Sequence, residues 1–529
     1  MIQRIQSEAD RGTAVVNESE YAKSKLALRG GAIVKESTDR APSLKSRSVV
    51  AVGWSAFDVA GRQGIQFVVM LILARLLSPE EFGILGMLSL FIALGGSIVD
   101  SGFGSALIQR KEITEADKSS VFLFNAAMGA LMALTISSAA PWIAGFYREP
   151  ILLPLTRLMA LNLFIGSFGV VQVALMTRNL DFKTPFKAGL VAMIVSGISA
   201  VWMAWRGYGV WSLAAQSVIF TTVSTGLIWV LCFWKPRLQF SIGSLRSLFG
   251  FGSGMLASGL LNTFFERVQL AVIGKAFSAA QLGFYTRAFS TQQFPVSLLS
   301  AVINRVTFPV FSQLFHNPDS LRSAVRRVQV SMMVPTLPMM FGLAVVARPL
   351  VLVLFGEKWL PCVPYLRILS IAGALWPLQV MNLDVVKAAG RSDLFLRLEI
   401  VKKVLVGIGL LATFRISVMA MVWAVLIVSV ACVFVNMHYT KVLIGYGVVG
   451  QFVDLAPYAG ISVLTSALAW AAGIHFSHLP FLQLSTSVLV GIVAYPAICH
   501  ILRLESYKVI VAAVTGVFSS AVRTEVQAS

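Results

Sequence analysis

Apolar residues occupy this chain in long blocks, and the spacing of those blocks sets its architecture before any single motif is considered. Stretches of about 18 to 25 mostly apolar residues, the length that crosses hydrocarbon as a helix, recur roughly fourteen times. They begin near Val52, Phe82, Val121, Leu152, Phe186, Val210, Leu248, Phe289, Val330, Cys362, Leu396, Ser417, Phe452 and Phe481. Gly, Pro and polar residues interrupt several of them, which a membrane helix tolerates when its neighbours satisfy the freed backbone groups. The pattern predicts an all-α integral membrane protein of about 14 transmembrane helices.

The segment LSPEEFGIL, Leu77 to Leu85, aligns without a gap with FSAAQLGFY, Phe277 to Tyr285, at an offset of about 200 residues. Each follows one apolar helix and precedes another, so the first and seventh helices correspond and run the same way. The repeat predicts two six-helix bundles, 49–240 and 241–441, related by an axis along the membrane normal. Two additional transmembrane helices then fill 442–502. Residues 1–48 hold no apolar core of signal-peptide length and read as a disordered tail. Residues 503–529 have mixed polarity and predict an amphipathic helix on the inner surface.

Charge fixes the orientation. If the N-terminal tail is cytoplasmic, the even-numbered links hold about 19 Lys and Arg, among them Arg110, Arg178, Lys387, Arg397, Lys402 and Lys403. The odd links hold about 8, namely Arg75, Arg148, Arg206, Lys275, Arg287, Arg348, Lys358 and Arg415. The positive-inside rule therefore places both termini in the cytoplasm. Composition agrees with a lipid solvent: 57% of the 529 residues are hydrophobic and 13% charged. A net charge of +19 raises nucleic acid as a partner, but the basic residues sit in short links rather than on a polar domain, which excludes that class. Cys232, Cys362, Cys432 and Cys499 stand alone and read as small buried hydrophobes.

Polar residues within the apolar blocks carry the functional signal. Ser55, Asp58, Arg62 and Gln66 recur at helical spacing on one face of the first helix. Ser258, Asn262, Glu266 and Gln269 do so on the seventh, and the repeat offset sets Ser258, Asn262 and Glu266 opposite Asp58, Arg62 and Gln66. A charge at mid-membrane costs roughly 2.5 to 3.5 kcal/mol on insertion scales, so two such stripes predict a water-filled passage between the bundles. The plainer alternative is an Asp58–Arg62 ion pair closing bundle contacts. Arg157, Arg267, Arg305, Asp100 and Asp384 are further ionisable groups within spans, although Arg157 and Arg305 lie near helix ends, where snorkelling also explains them. Guanidinium groups pair phosphate oxygens, so an arginine-lined cavity suits an anionic substrate. The expected substrate-binding set is Arg62, Arg267, Arg157, Arg305, Gln66 and Asn262. Asp58, Glu266 and Asp100 are the expected ion-coupling groups.

Other signals lead nowhere. His475 and His478 do not make a metal site on their own. The glycines of GFGSG, Gly250 to Gly254, lack the strand and the acidic residue of a dinucleotide fold and predict close helix packing. No catalytic arrangement, metal or organic cofactor is implied.

Several phrases nevertheless resemble a known family, the bacterial Wzx-type polysaccharide exporters, in the branch with colanic acid and succinoglycan exporters. They are LARLLSPEEFGILGM from Leu73, SALIQRKEITEAD from Ser105, LMTRNLDFKT from Leu175, GYGVWSLAAQ from Gly207, AVIGKAFSAAQLGFYTRA from Ala271, RVTFPVFSQL from Arg305 and LFGEKWLPCVPYLRIL from Leu354. The resemblance implies a flippase of the multidrug, oligosaccharidyl-lipid and polysaccharide superfamily, with two pseudo-symmetric six-helix bundles around a central cavity and two extra C-terminal helices. It implies a bacterial inner-membrane protein that moves polyprenyl-pyrophosphate-linked oligosaccharide repeat units outward for exopolysaccharide or lipopolysaccharide synthesis. Coupling to H+ or Na+ and cooperation with a polysaccharide polymerase or export machinery follow from the same resemblance. A drug or small-cation antiporter of that superfamily would be expected to have an acidic cavity, which Arg62 and Arg267 oppose. A membrane-embedded polymerase or ligase would need a sizeable external loop, and every external link is short.

Overall fold

A computed structural model describes residues 63–504 and Tyr507, apart from Leu238 and His316, with the side chains of Phe251, 298–306, Phe308, Pro309 and Pro318 left undescribed. The expectations for the two tails and for Ser55, Asp58 and Arg62 fall outside these residues. Among the described residues the chain is helical throughout, with no strand. The helices are α1 (Gln63–Leu76), α2 (Pro79–Asp100), α3 (Phe103–Gln109), α4 (Glu115–Tyr147), α5 (Leu152–Ser167), α6 (Val170–Arg178), α7 (Lys183–Trp205), α8 (Val210–Leu231) and α9 (Ile242–Ala276). They continue with α10 (Ala279–Leu314), α11 (Pro318–Leu354), a 3-10 turn (Glu357–Cys362), α12 (Val363–Ala374), α13 (Trp376–Ala388), α14 (Ser392–Thr413), α15 (Val418–Ile444), α16 (Val448–Ile474) and α17 (Pro480–Ile501). Among the described residues ten helical segments are long and apolar enough to cross a membrane, or eleven if α9, bent by 57° between Gly250 and Gly252, is one span.

Two helices start well before their apolar blocks, α10 at Ala279 rather than near Phe289 and α11 at Pro318 rather than near Val330, whereas α5 and α8 start at Leu152 and Val210 as read. Hydropathy reports the segment in hydrocarbon, whereas a helix runs on until its free N–H groups are capped. Ser78 and Glu81 form a reciprocal capping box on α2, as do Thr114 and Asp117 on α4. Ser278 caps α10 in the same way as Ser78 caps α2, accepting from the Gln281 N–H. At the opposite end Arg178 donates to the carbonyls of Leu107 and Lys111, closing the C-terminus of α3.

The repeated segments pack on each other. Helices α2 and α10 cross so closely that a Cβ on Gly83 would overlap the Ala279 carbonyl, and one on Gly283 would overlap the Pro79 carbonyl. Residues about 200 apart thus exchange the same contact, as a two-fold crossing requires. Around the crossing lies the largest buried cluster, which includes Met87, Tyr147, Leu282, Tyr285, Val351 and Trp359. Exposed Trp142, Trp202, Trp205 and Tyr208 ring this Ser78 end, with the Arg206 guanidinium 5.4 Å from the Trp202 ring, as aromatic residues do at a bilayer interface.

Helices α16 and α17 pack on α11, with Leu455, Tyr458 and Tyr495 against Val330, Met333 and Leu337. The fully buried Gln451 centres the join: its Oε1 accepts from Gln329 Nε2 and Asn382 Nδ2, both at 3.0 Å, and its Nε2 donates to Asn382 Oδ1 at 2.9 Å. Beside it Tyr446 donates to Asp454 at 2.7 Å, and burial together with that carboxylate pushes the phenol well above its ordinary range.

The crossing predicts a sharp contrast. Gly83→Ala should lower the stability of the purified protein by about 1 to 3 kcal/mol in thermal unfolding. Gly226→Ala, at a mid-helix position with open space around it, should be neutral or raise stability by up to about 1 kcal/mol.

Candidate functional site

Helix α9 is bare along its centre. From 253 to 269 it has no buried residue, and Ser258, Asn262, Glu266 and Arg267 are all exposed. Within this stretch a polar pair joins it to α2, Ser97 Oγ lying 3.0 Å from Thr263 Oγ1. Amides and charges on the unpacked face of a membrane-spanning helix need water beside them. Of the GFGSG glycines only Gly252 explains itself by packing, against Phe103 and the Ser101 carbonyl; Gly250 and Gly254 face open space.

Helix α14 supplies a second polar face. Leu396, Ile400, Val404, Ile408 and Leu411 form its exposed apolar side at helical spacing. On other faces Glu399 pairs with Lys402 at 3.1 Å, and the Lys403 ammonium lies 5.3 Å from the centroid of Phe265 on α9. The sequence pattern assigns these lysines to a cytoplasmic link. The structure sets them inside α14, about 15 Å along it from Ser392 at 1.5 Å per residue. The apolar spacing of Leu396 to Leu411 is the signal that marks this helix. Arg287, also read as a link residue, is buried in α10.

The other expected residues scatter. Gln66 does not meet Asn262 or Glu266; it lines a cavity of about 360 Å³ with Asn162, Ser196, Gln216, Ser217 and Thr221, among α1, α5, α7 and α8. None of the described residues that line this cavity is charged, and the Asn162 Oδ1 is buried without a hydrogen-bond partner. Asp100 ends α2 where Ser101 and Gly102 take positive φ, and it lines a neighbouring cavity of about 450 Å³ with Thr177, Thr221 and Thr225. Broken helices in a membrane line cavities, since their freed backbone needs water or protein. Arg157 is exposed on α5, and Arg305 lies on α10 with its side chain undescribed. Asp384 is structural: buried, it accepts from Thr307 at 2.6 Å and pairs with Lys387 at 3.0 Å. Among the described residues no three His, Cys, Asp or Glu side chains cluster as a metal site.

This arrangement of long, broken helices with polar faces among them is a fold shared with a class of solved helical membrane proteins. The structure aligns with the lipid II flippase MurJ in an inward closed conformation at TM-score 0.67 and 12% identity, covering 85% of this chain and 99% of that one. It aligns with an inward-facing multidrug resistance MATE family transporter at TM-score 0.56 and 16% identity, covering 73% and 94%. Within that class the chain belongs to the family described as polysaccharide biosynthesis protein, whose model matches residues 72–364. It is 26% identical over 461 residues to teichuronic acid biosynthesis protein TuaB of Bacillus subtilis (strain 168), covering 86% of this chain and 95% of that one. It is 28% identical over 472 residues to succinoglycan biosynthesis transport protein ExoT of Rhizobium meliloti (strain 1021), covering 86% and 93%. Lipopolysaccharide biosynthesis protein WzxC of Escherichia coli (strain K12) is 26% identical over 341 residues, covering 63% and 68%.

Residues that face a passage should be separable from residues that hold the fold. Asn262→Ala and Glu266→Ala are expected to change unfolding stability by less than about 0.5 kcal/mol. Gln451→Leu strands buried amides and should cost about 1 to 3 kcal/mol, read by thermal unfolding in detergent.

Proposed function

We propose that this protein is an inner-membrane flippase that carries polyprenyl-pyrophosphate-linked oligosaccharide repeat units from the cytoplasmic to the outer leaflet for exopolysaccharide or lipopolysaccharide synthesis. The observation that carries this reading is the family match over residues 72–364, joined to relatives covered nearly end to end and named for polysaccharide biosynthesis and transport. No bond is made or broken in the task. The protein's work is to give a charged, hydrated head group a path while its lipid tail stays in the bilayer.

In this reading the chain crosses the membrane fourteen times. The spans are α1, α2 with α3, α4, α5 with α6, α7 and α8 in the first half, and α9, α10, α11, α12 with α13, α14 and α15 in the second. Helices α16 and α17 are the added pair. The halves occupy 49–240 and 241–441, both termini face the cytoplasm, and the Ser78 end faces outward. The halves rock about the α2–α10 crossing to expose the passage to each side in turn. Arg267 and Lys403, with Arg62, Arg157 and Arg305, hold the pyrophosphate. The uncharged amides and hydroxyls around Gln66, with Asn262 across the passage, suit sugar hydroxyls. Asp58, Asp100 and Glu266 take up the coupling H+ or Na+, and a polysaccharide polymerase receives the product. A drug antiporter of the same fold is disfavoured by the cations on α9 and α14, and a polymerase or ligase by the names of the relatives.

Deletion of the gene should leave complete lipid-linked repeat units accumulating on the cytoplasmic side. Complementation with Arg267→Ala or Lys403→Ala should reduce exported polymer about tenfold or more at unchanged protein level, since a charge-assisted hydrogen bond contributes about 1.5 to 3 kcal/mol. Incomplete oligosaccharides in the deletion strain would point to an enzyme instead, and normal export by both variants would remove these cations from the site.

A further inference from the structure

Three phrases far apart in the chain meet at the Ser78 end: LARLLSPEEFGILGM, AVIGKAFSAAQLGFYTRA and LFGEKWLPCVPYLRIL. None of their residues is needed to bind the head group. What they build is an exchange of helix caps. The last carbonyls of a helix lack partners within it and carry partial negative charge. At the end of α1, Trp359 Nε1 donates to the Ala74 carbonyl at 2.8 Å, and Lys358 Nζ donates to the carbonyls of Arg75 at 2.8 Å and Leu77 at 2.7 Å. In return Arg75 Nε donates to the Leu354 carbonyl at 2.9 Å, and its other arm to the Val353 carbonyl, at the end of α11. The end of α1 is closed by a cation just beyond α11, and the end of α11 by a cation in the last turn of α1. Between them Arg287, 3% exposed, sits 4.3 Å from the Phe82 ring, 4.9 Å from Trp359 and 5.2 Å from Phe355.

We propose that this joint is the lock of the Ser78 end, with Trp359 as its pin, and that it opens as a unit whenever the halves part there. The inference rests on the alternating-access reading above. Every cap in it crosses from α1 to the segment around α11 and the 3-10 turn, so the end cannot part while the caps stand. Its chemistry is reversible. Arg75 and Lys358 are exposed, so water replaces each carbonyl at little net cost on release. Trp359 is 0% exposed, and its N–H bond is the dry one, made or lost only with the whole joint. The adjoining α2–α10 crossing meets through Gly83 and Gly283, backbone on backbone, a close contact about which the helices can tilt. The opposite end is tied differently. There the Arg110 to Ser247 bond at 2.9 Å and the Ser241 N–H to Ser120 bond at 2.8 Å hold the start of α9, which the 57° bend separates from the rest of that helix.

The test uses the full chain in native membranes with Thr263→Cys as a reporter at the α2–α9 contact. A membrane-impermeant maleimide is added to each side in turn, and the chain without the reporter supplies the background of its buried cysteines. Labelling from the Ser78 side should be slow. Trp359→Phe, which removes only the N–H donor, should speed it several-fold, and Trp359→Phe with Lys358→Ala more than tenfold. Lys358→Arg keeps charge and donors and should stay within twofold of the parent. An unchanged rate in the double variant at normal protein level overturns the lock. So does equal acceleration in all variants, Lys358→Arg included, accompanied by equal loss of thermal stability, because that is general loosening. Labelling requires no substrate. A lock that responds while polymer export proves independent of the protein would sink the flippase reading alone.

Discussion

Hydrocarbon offers a peptide group nothing to bond with, and a backbone placed in it must satisfy itself. Most of the order in this protein answers that demand. Within a helix the answer is automatic, and it fails only where helices end or break. Those places are where the polar side chains collect: Ser78 with Glu81 and Thr114 with Asp117 at helix starts, and Arg178 on the carbonyls that close α3. Lys358 and Trp359 do the same for the end of α1. Where α2 breaks at Ser101 and Gly102, a cavity lies alongside with Asp100 on its wall. Capping and cavity are two solutions to one electrostatic problem.

Side-chain charge meets the same constraint. Asp384 is satisfied by Thr307 and Lys387 and Glu399 by Lys402, while Arg287 lies against three aromatic faces with its Nε buried and without a hydrogen-bond partner. The two carboxylates have no need of a ligand. Against that background the centre of α9 stands apart: Asn262, Glu266 and Arg267 are left open on a helix with no buried residue between 253 and 269. The contrast between charges that are paired and charges left uncovered is the physical basis for placing a passage beside α9.

Much of this was legible in the chain. Hydropathy located the helices because it measures the solvent each segment needs, and the offset of about 200 between LSPEEFGIL and FSAAQLGFY marked two segments that meet reciprocally at Gly83 and Gly283. The starts of α10 and α11 were read too late because capping residues are polar and lie outside the apolar run, as at Ser278. Lys402 and Lys403 were counted in a link although an apolar block was read from near Leu396, because a net apolar count does not say which face of a helix carries its charges. Gln66 shares its spacing with the stripe on α9, yet it opens into a cavity within α1, α5, α7 and α8. Periodicity gives the face of a helix, and only packing says what that face meets. Arg287 was unreadable for a related reason: its partners Phe82, Phe355 and Trp359 are distant in sequence, and no local pattern announces an aromatic cage.

The central claim is that this chain alone moves a lipid-linked oligosaccharide across a bilayer. Its most direct test is transbilayer movement in vesicles that contain only the purified protein and polyprenyl-pyrophosphate-linked oligosaccharide extracted from the deletion strain. With an H+ or Na+ gradient imposed, oligosaccharide sealed on one face should become accessible to an added glycosidase at a rate proportional to the amount of protein. Accessibility that stays at the level of protein-free vesicles, under either gradient and with folded protein present, would contradict the account.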